Sequence, residues 1–282
     1  MPDYSGLATR MKTFYEQIPK TKLMRRTPVI IRIDGKAFHT FTRGFATPFD
    51  EVLIKTMQDT TKYLCENIQG CVLGYTQSDE ISLVLIDYQR FETSAWFDYE
   101  VQKMCSIAAS MATMAFNKAF EKRSQEHSCH EELAKSYEKA RKRGAMFDAR
   151  VFNVPKEEVT NYIYWRQNDA SKNSIQMVGR ANFSDKQLHK KTCNMIQDML
   201  MVQKGINWNN FPTYQKRGSC VIKEEYFVDD KGNEVENEYI TDVNEPVEDV
   251  TARTRWIIDK DIPIFKGEGR DYVQKLIMVG EE

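Results

Sequence analysis

Asp34 closes the apolar run Pro28-Val-Ile-Ile-Arg-Ile-Asp34, and Asp79 lies in the turn-like stretch Gly74-Tyr-Thr-Gln-Ser-Asp-Glu80. Two carboxylates presented at strand ends could bind a hard divalent cation from two sides, because Mg²⁺ prefers oxygen ligands and needs only one or two carboxylates from the protein. Paired ions of this kind stabilise both the attacking and the leaving oxygen of a phosphoryl or nucleotidyl transfer. Asp34 and Asp79 fit that role, with Glu80 in reserve. A single strand-end aspartate is ordinarily a solvated turn residue. The metal reading therefore depends on the fold bringing the two acids together, and residue types and spacing alone leave both readings open.

Other groups along the chain are suited to phosphates and bases. Gly35 lacks a Cβ, so a phosphate or metal could approach its backbone closely, although turn glycines are common. Lys36, Lys103 and Arg150 could counter triphosphate charge, and each taken singly is also an ordinary surface charge. Phe38 and His39 could stack on and hydrogen-bond a base, where simple packing is the commoner role. The polar stretch from Trp165 to Ser174 offers Arg166 and Asn173 to an RNA backbone, or else is a helix end with capping side chains. Lys216 and Arg217, and then Arg253 and Arg255 beside Trp256, concentrate cations that could track phosphates, as solvated faces also do.

The elements that must position these groups follow from periodicity. Residues 28–34 predict a buried strand, since β-branched residues crowd a short run. Pro48, Asp50 and Glu51 predict a helix start, and Leu53, Met57, Leu64 and Ile68 recur at helical spacing up to Gly70. Residues 71–76 and 80–86 read as a β-hairpin turning at 77–79. An alanine-rich apolar stripe predicts a helix over 97–122, the charged stretch 121–145 reads as a solvated helical excursion, and 146–153 reads as a strand. Strand, helix, strand, strand, helix, strand is the split βαβ order of an α+β, ferredoxin-like antiparallel sheet. In that order the third strand lies beside the first, so the start of the run at Glu80 falls next to the end of the run at Asp34. Beyond Pro155 the sequence predicts an accessory α/β region: a helix opening at 155–158 and running to about Arg166, another over 186–204, and strands at 219–228 and 237–243. No repeat or low-complexity linker separates the halves, so residues 1–282 read as one unit, with a core at 27–153 and an accessory half at 154–282.

Composition narrows the class. A chain of 282 residues with 41% hydrophobic and 29% charged residues can bury a sizeable core, which excludes a disordered reading. Lys and Arg (40) nearly cancel Asp and Glu (41), so any basic surface must be local. No run of about 18 apolar residues spans a bilayer, and the N-terminus Met1-Pro-Asp-Tyr-Ser-Gly lacks a basic-then-apolar leader; a cytoplasmic protein is expected. Six scattered cysteines without a C-x-x-C pair suit reduced thiols, and the cluster His127-Ser-Cys129-His130 lacks the second half of a zinc site.

Five segments occur in a fixed order: Arg32-Ile-Asp-Gly-Lys-Ala-Phe-His39, Gly74-Tyr-Thr-Gln-Ser-Asp-Glu80, Phe147-Asp-Ala-Arg150, Tyr164-Trp-Arg-Gln-Asn-Asp169 and Tyr214-Gln-Lys-Arg-Gly218. In them the chain resembles the tRNA-His guanylyltransferase family over almost its whole length, and most nearly its bacterial-type members, 3′-to-5′ polymerases that repair 5′-truncated tRNA. The resemblance implies a polymerase-palm core using two Mg²⁺ ions, with ATP and GTP or another nucleoside triphosphate as substrates and tRNA as partner. By position it implies Asp34, Asp79 and the Gly35 carbonyl as metal ligands. Phe38, His39, Asp50 and Ser78 would shape the nucleotide pocket, while Lys103 and Arg150 would meet a triphosphate. Such proteins commonly form homotetramers. Two departures bear on substrate: Thr47 stands where eukaryotic members carry a lysine, and Ser171-Lys-Asn173-Ser174 replaces His-Ile-Asn-Asn, which favours templated repair over obligate G addition. The alternatives left standing are a palm-type nucleotide cyclase and a non-enzymatic RNA-binding protein.

Overall fold

Val29, Ile30, Ile31 and Ile33 are all wholly buried, as expected of a strand covered on both faces. They belong to β1 (Val29–Gly35) in a computed structural model that describes residues 6–235 and 250–280. β1 is flanked on one side by β4 (Phe147–Asn153) and on the other by β3 (Glu80–Leu85), which hairpins with β2 (Cys71–Gln77). Beyond β2 comes β5 (Ser219–Val228), which pairs with the short β6 (Glu234–Val235) and with β7 (Thr251–Asp259). Every pairing is antiparallel, and the order across the sheet is β4-β1-β3-β2-β5-β6, with β7 also on β5. Helices and an antiparallel sheet mix as the sequence predicted. In register, Asp34 stands opposite Glu80 on β3, the convergence expected from the strand order.

Helices cover both faces. Beneath one face, α3 (Glu51–Asn67) and α4 (Val101–Glu126) pack a core of Val29, Ile31, Ile33, Leu64, Leu83, Phe116 and their neighbours. Against the other lie α6 (Lys156–Asn182) and α10 (Asp271–Ile277), with Ile30, Val84, Val159 and Ile163 between them. Since side chains alternate along a strand, Arg32 and Asp34 share the α6 face with Ile30. A short helix, α2 (Phe38–Phe41), follows β1, and α5 (Glu131–Arg143) packs on α4 and carries the charged excursion.

Four differences from the sequence reading have physical causes. The charged excursion is not wholly solvated, because α5 buries Leu133, Tyr137 and Ala140. α6 runs on to Asn182 instead of ending near Arg166, and its buried stripe includes Arg166, Gln167 and Ser174. Each of these has a partner: Arg166 bonds Glu80, Gln167 bonds Pro263 O and Phe265 N–H, and Ser174 accepts from Trp208. Satisfied polar groups inside a helix hide its apolar period. The helix expected over 186–204 is divided into α7 (Asp185–Leu188) and α8 (Cys193–Lys204), with Lys190 at positive φ between them and Thr192 capping the second. The basic stretch at 251–256 begins strand β7, which pairs with β5 from Val228↔Thr251 to Cys220↔Asp259. The strand expected at 237–243 lies outside the described residues.

No helix among the described residues is long and apolar enough to cross a membrane. All six cysteines are free thiols. His130, read as part of a potential zinc cluster, caps α5 by accepting the Leu133 N–H on Nδ1, and the His127 ring lies 6.3 Å from that of Tyr137.

Candidate functional site

The end of β1 and the β2–β3 turn are fastened to each other. The Gly35 N–H donates to the Asp79 carbonyl (3.0 Å), and the Lys36 N–H donates to Met146 O (2.8 Å). Ser78 sits at φ +50°, and this tight turn lifts Asp79 beside Asp34. Burial and the facing charge of Asp34 push the Asp79 carboxyl above its ordinary range, and a hydrogen bond from the Ser78 hydroxyl (3.0 Å) offsets part of this. Among the described residues no lysine or arginine pairs with either acid. Two facing carboxylates, both half-buried, lack a countercharge among the described residues. Oxygen donors in this state suit a hard divalent cation. No group of three His, Cys, Asp or Glu side chains among the described residues is placed to enclose a metal.

Beside the pair opens a cavity of about 510 Å³, lined by Gly35, His39, the loop Thr42–Pro48, Asp50, Ser78, Asp79 and Met177 of α6. Its size suits a small-molecule ligand. His39 is exposed and Ser78 stands on the rim, where a ligand could meet both. Phe38 also lines the cavity, and its ring is 5% exposed, packing 5.4 Å from Phe116 and 5.2 Å from Phe147. Gly35 is required for this packing, since a Cβ there would lie 2.3 Å from the Phe38 ring. Asp50 lines the cavity while buried, accepting the N–H groups of Ala46 (2.9 Å) and Leu53 (2.9 Å) and the Tyr137 hydroxyl (2.8 Å). It is at once helix cap and loop anchor.

Behind the acids runs a buried ion network that sequence reasoning missed. Glu80, 5% exposed, accepts from Arg32 Nη2 (2.7 Å) and from Arg166 Nε (2.7 Å), and Arg166 also reaches Asp169 (2.9 Å). Glu80 is thus held as the counter-ion of two arginines. Arg166 is likewise unavailable to RNA, because its guanidinium is spent on the two acids and stacks 4.3 Å over Trp165. Arg32 Nε is buried with no hydrogen-bond partner. Asp148 faces Asp34 in register on β4 and pairs with Arg150 (3.2 Å). The alternation in Phe147-Asp-Ala-Arg150 was the available signal for Asp148; nothing in the sequence points to Tyr137.

The remaining candidates separate by location. Arg150 is exposed on the face it shares with Asp34, one alternate position further along β4, and Lys36 is exposed next to Gly35. Lys103 is not at the site. It rests 4.6 Å over the Phe97 ring near the start of α4, whereas Thr113 and Asn117 are the α4 residues that bond the site end of β4. At 1.5 Å per residue, the step from Lys103 to Thr113 is about 15 Å. Asn173 is exposed on α6. Lys216 is 8% exposed with its ammonium bonded to Asn209 O (2.6 Å), which removes it from an RNA surface. Arg217 is half-buried. On the β5–β7 ribbon Arg253 is exposed, while Arg255 is neutralised by Glu224 (2.8 Å) and Glu234 (3.0 Å).

An acid pair at the end of an antiparallel sheet, opening on a cavity of nucleotide size, defines a site for transferring phosphorus groups. Comparison with known proteins narrows that class. Residues 8–155 match the sequence profile of tRNAHis guanylyltransferase. A bacterial tRNA(His) guanylyltransferase-like protein solved in complex with ATP is 40% identical, superposes with a TM-score of 0.76, and is covered over 99% of its chain by 96% of this one. The same kind of protein in complex with GTP is 38% identical at a TM-score of 0.73, covering 97% of this chain and 99% of that one. The tRNA(His) guanylyltransferase of Saccharomyces cerevisiae is 27% identical over 209 residues, 69% of this chain and 82% of its own. The chain belongs to the tRNAHis guanylyltransferase family and is a nucleotidyltransferase.

Proposed function

We propose that this protein adds nucleotides to the 5′ end of tRNA in the 3′-to-5′ direction, as a repair polymerase for 5′-truncated tRNA that also has the means to add G to tRNA-His. The observation that carries the reading is the pair Asp34 and Asp79, uncompensated among the described residues, with Asp79 lining the cavity and its carboxyl pushed up by burial and by its neighbour's charge. Two relatives in complex with ATP and GTP support nucleoside triphosphates as the cavity's ligands. Asp34, Asp79 and the Gly35 carbonyl would hold Mg²⁺, which supplies neutralisation of phosphate charge and activation of the attacking oxygen. The strand order β4-β1-β3-β2 supports a ferredoxin-like, palm-type core at 27–153, with 154–282 as the accessory half.

In this reading the chain's own groups orient the substrates. His39 and Ser78 contact the nucleotide at the cavity rim, and Asp50 fixes the loop that forms its wall. Lys36, next to Gly35, and Arg150, on the face of Asp34, are exposed cations that meet the triphosphate. A 5′-monophosphate end first displaces pyrophosphate from ATP to form an adenylylated end. The 3′-hydroxyl of the incoming nucleotide then attacks the 5′ phosphorus, with AMP as the leaving group; a 5′-triphosphate end loses pyrophosphate instead. Thr47 lines the cavity, and Ser171 bonds its own helix through Gln167 O (3.0 Å), so neither offers a charge to the substrate. Asn173 and Arg253 remain exposed for tRNA. A homotetramer in the cytoplasm completes the reading.

The test supplies a 5′-truncated, 5′-monophosphorylated tRNA with ATP, Mg²⁺ and each nucleotide singly. Growth by the nucleotide complementary to the opposing base, and by no other, is the expected result. Cyclic nucleotide formed without RNA, or RNA binding with no growth, would refute it.

A further inference from the structure

The loop that walls the cavity is secured from outside by α5, the helix of the charged excursion. The Tyr137 hydroxyl donates to Asp50 Oδ2 (2.8 Å), the same oxygen that accepts the Ala46 N–H (2.9 Å). Arg143 Nη1 donates to Thr40 O (2.8 Å) in α2, just before the loop. Between them, Gly44 turns at φ +86° so close to α5 that a Cβ would lie 2.5 Å from Ser136 Oγ. The Phe45 ring, which lines the cavity, meets the Tyr137 ring edge-on at 5.0 Å. The end of α5 is anchored in turn, since Asn117 bonds both the N–H and the carbonyl of Ala145. The other Asp50 oxygen caps α3 through Leu53 N–H (2.9 Å), so both oxygens are engaged, and Tyr137 supplies the bond that reaches them from α5.

We propose that Tyr137 is a positioning residue for the nucleotide: its hydroxyl locks the Asp50 carboxylate, and through it α5 sets the shape of the cavity wall at Phe45 and Ala46. Tyr137 is 1% exposed and touches no ligand itself. Burial and the bond to Asp50 push its hydroxyl above its ordinary range, so it remains a donor at every working pH. A donor to a buried carboxylate is worth more than a neutral hydrogen bond, because the acceptor loses water that nothing else replaces. The proposal rests on the cavity being the nucleotide site.

Tyr137→Phe tests it in the full chain, keeping the ring contacts and deleting one oxygen. The readouts are the dissociation constant for ATP, and KM and kcat for 5′ addition. Both the dissociation constant and KM for the nucleotide rise about five- to tenfold, while kcat at saturating nucleotide stays within twofold. Arg143→Ala, an exposed change that removes the second tie, gives a smaller rise of the same kind and serves if the first variant fails to fold. Wild-type affinity in both variants, or a fall in kcat at unchanged KM, overturns the proposal. If the wild-type protein itself fails to bind ATP, the nucleotide reading falls and this one with it.

Discussion

Replacing Glu80 by Gln separates structural support from chemistry at neighbouring acids. Glu80 is 5% exposed and bonds Arg32 and Arg166, each at 2.7 Å. Without its charge Arg166 keeps only Asp169 (2.9 Å), and Arg32 keeps no acid among the described residues. Removing one member of a buried pair costs about 3–5 kcal/mol, because a desolvated charge is left behind. Gln retains one acceptor oxygen, so the low end applies, about 3 kcal/mol. For a chain of this size each kcal/mol moves the melting midpoint by roughly 2–4 °C, which predicts a fall of about 6–12 °C. Asp34→Asn removes an acid that pairs with no cation among the described residues and leaves the midpoint at or above that of the wild type. Scanning fluorimetry of the three proteins without metal reads the contrast. A Glu80→Gln variant that melts with the wild type yet adds no nucleotide would refute the structural assignment and restore Glu80 as a metal ligand.

Asp79 carries the clearest pH signature. Its folded carboxyl titrates above the ordinary value of 3.8, so between that value and the raised one the folded state holds a proton that the unfolded chain releases. Wild-type stability therefore falls as pH rises through that window; Asp79→Asn melts above the wild type at neutral pH, and the gap closes below about pH 3.8. Mg²⁺ at ten times its dissociation constant stabilises the wild type by about 1.4 kcal/mol and leaves Asp79→Asn unmoved, as melting with and without EDTA would show. Lys216→Ala lowers the melting midpoint but leaves tRNA affinity and its salt slope unchanged, because the ammonium is bonded to Asn209 O. A slope smaller by about one phosphate would return Lys216 to the RNA surface.

Strand order and the meeting of Asp34 with the Glu80 end of β3 were legible because β-branched runs and a tight turn leave strong local signals, and topology does the rest. That Glu80, Arg166 and Lys216 bond to groups inside the protein was illegible in the sequence for a shared reason. A charged residue reads as exposed unless its partner is known, and here each partner lies far along the chain or in a backbone carbonyl. Packing, the commoner role for a ring like that of Phe38, joins it to Phe116 and Phe147 on separate elements while it also lines the cavity. Lys103, a triphosphate candidate by its charge and by family position, rests over Phe97 near the start of α4, about 15 Å along the helix from Thr113, which bonds the site end of β4. The link from Tyr137 to Asp50 spans a helical excursion whose sequence announces only charge. Local pattern thus conveyed where the acids lie, and the tertiary pairing that supports them had to be seen.

The most direct measurement is single-turnover extension of a 5′-truncated, 5′-labelled tRNA by wild type, Asp34→Asn and Asp79→Asn, each shown to be folded and supplied with ATP, Mg²⁺ and the templated nucleotide. Growth by one nucleotide in the wild type and none in either variant is the predicted result. Growth in either variant at the wild-type rate would contradict the assignment of this pair as the catalytic platform.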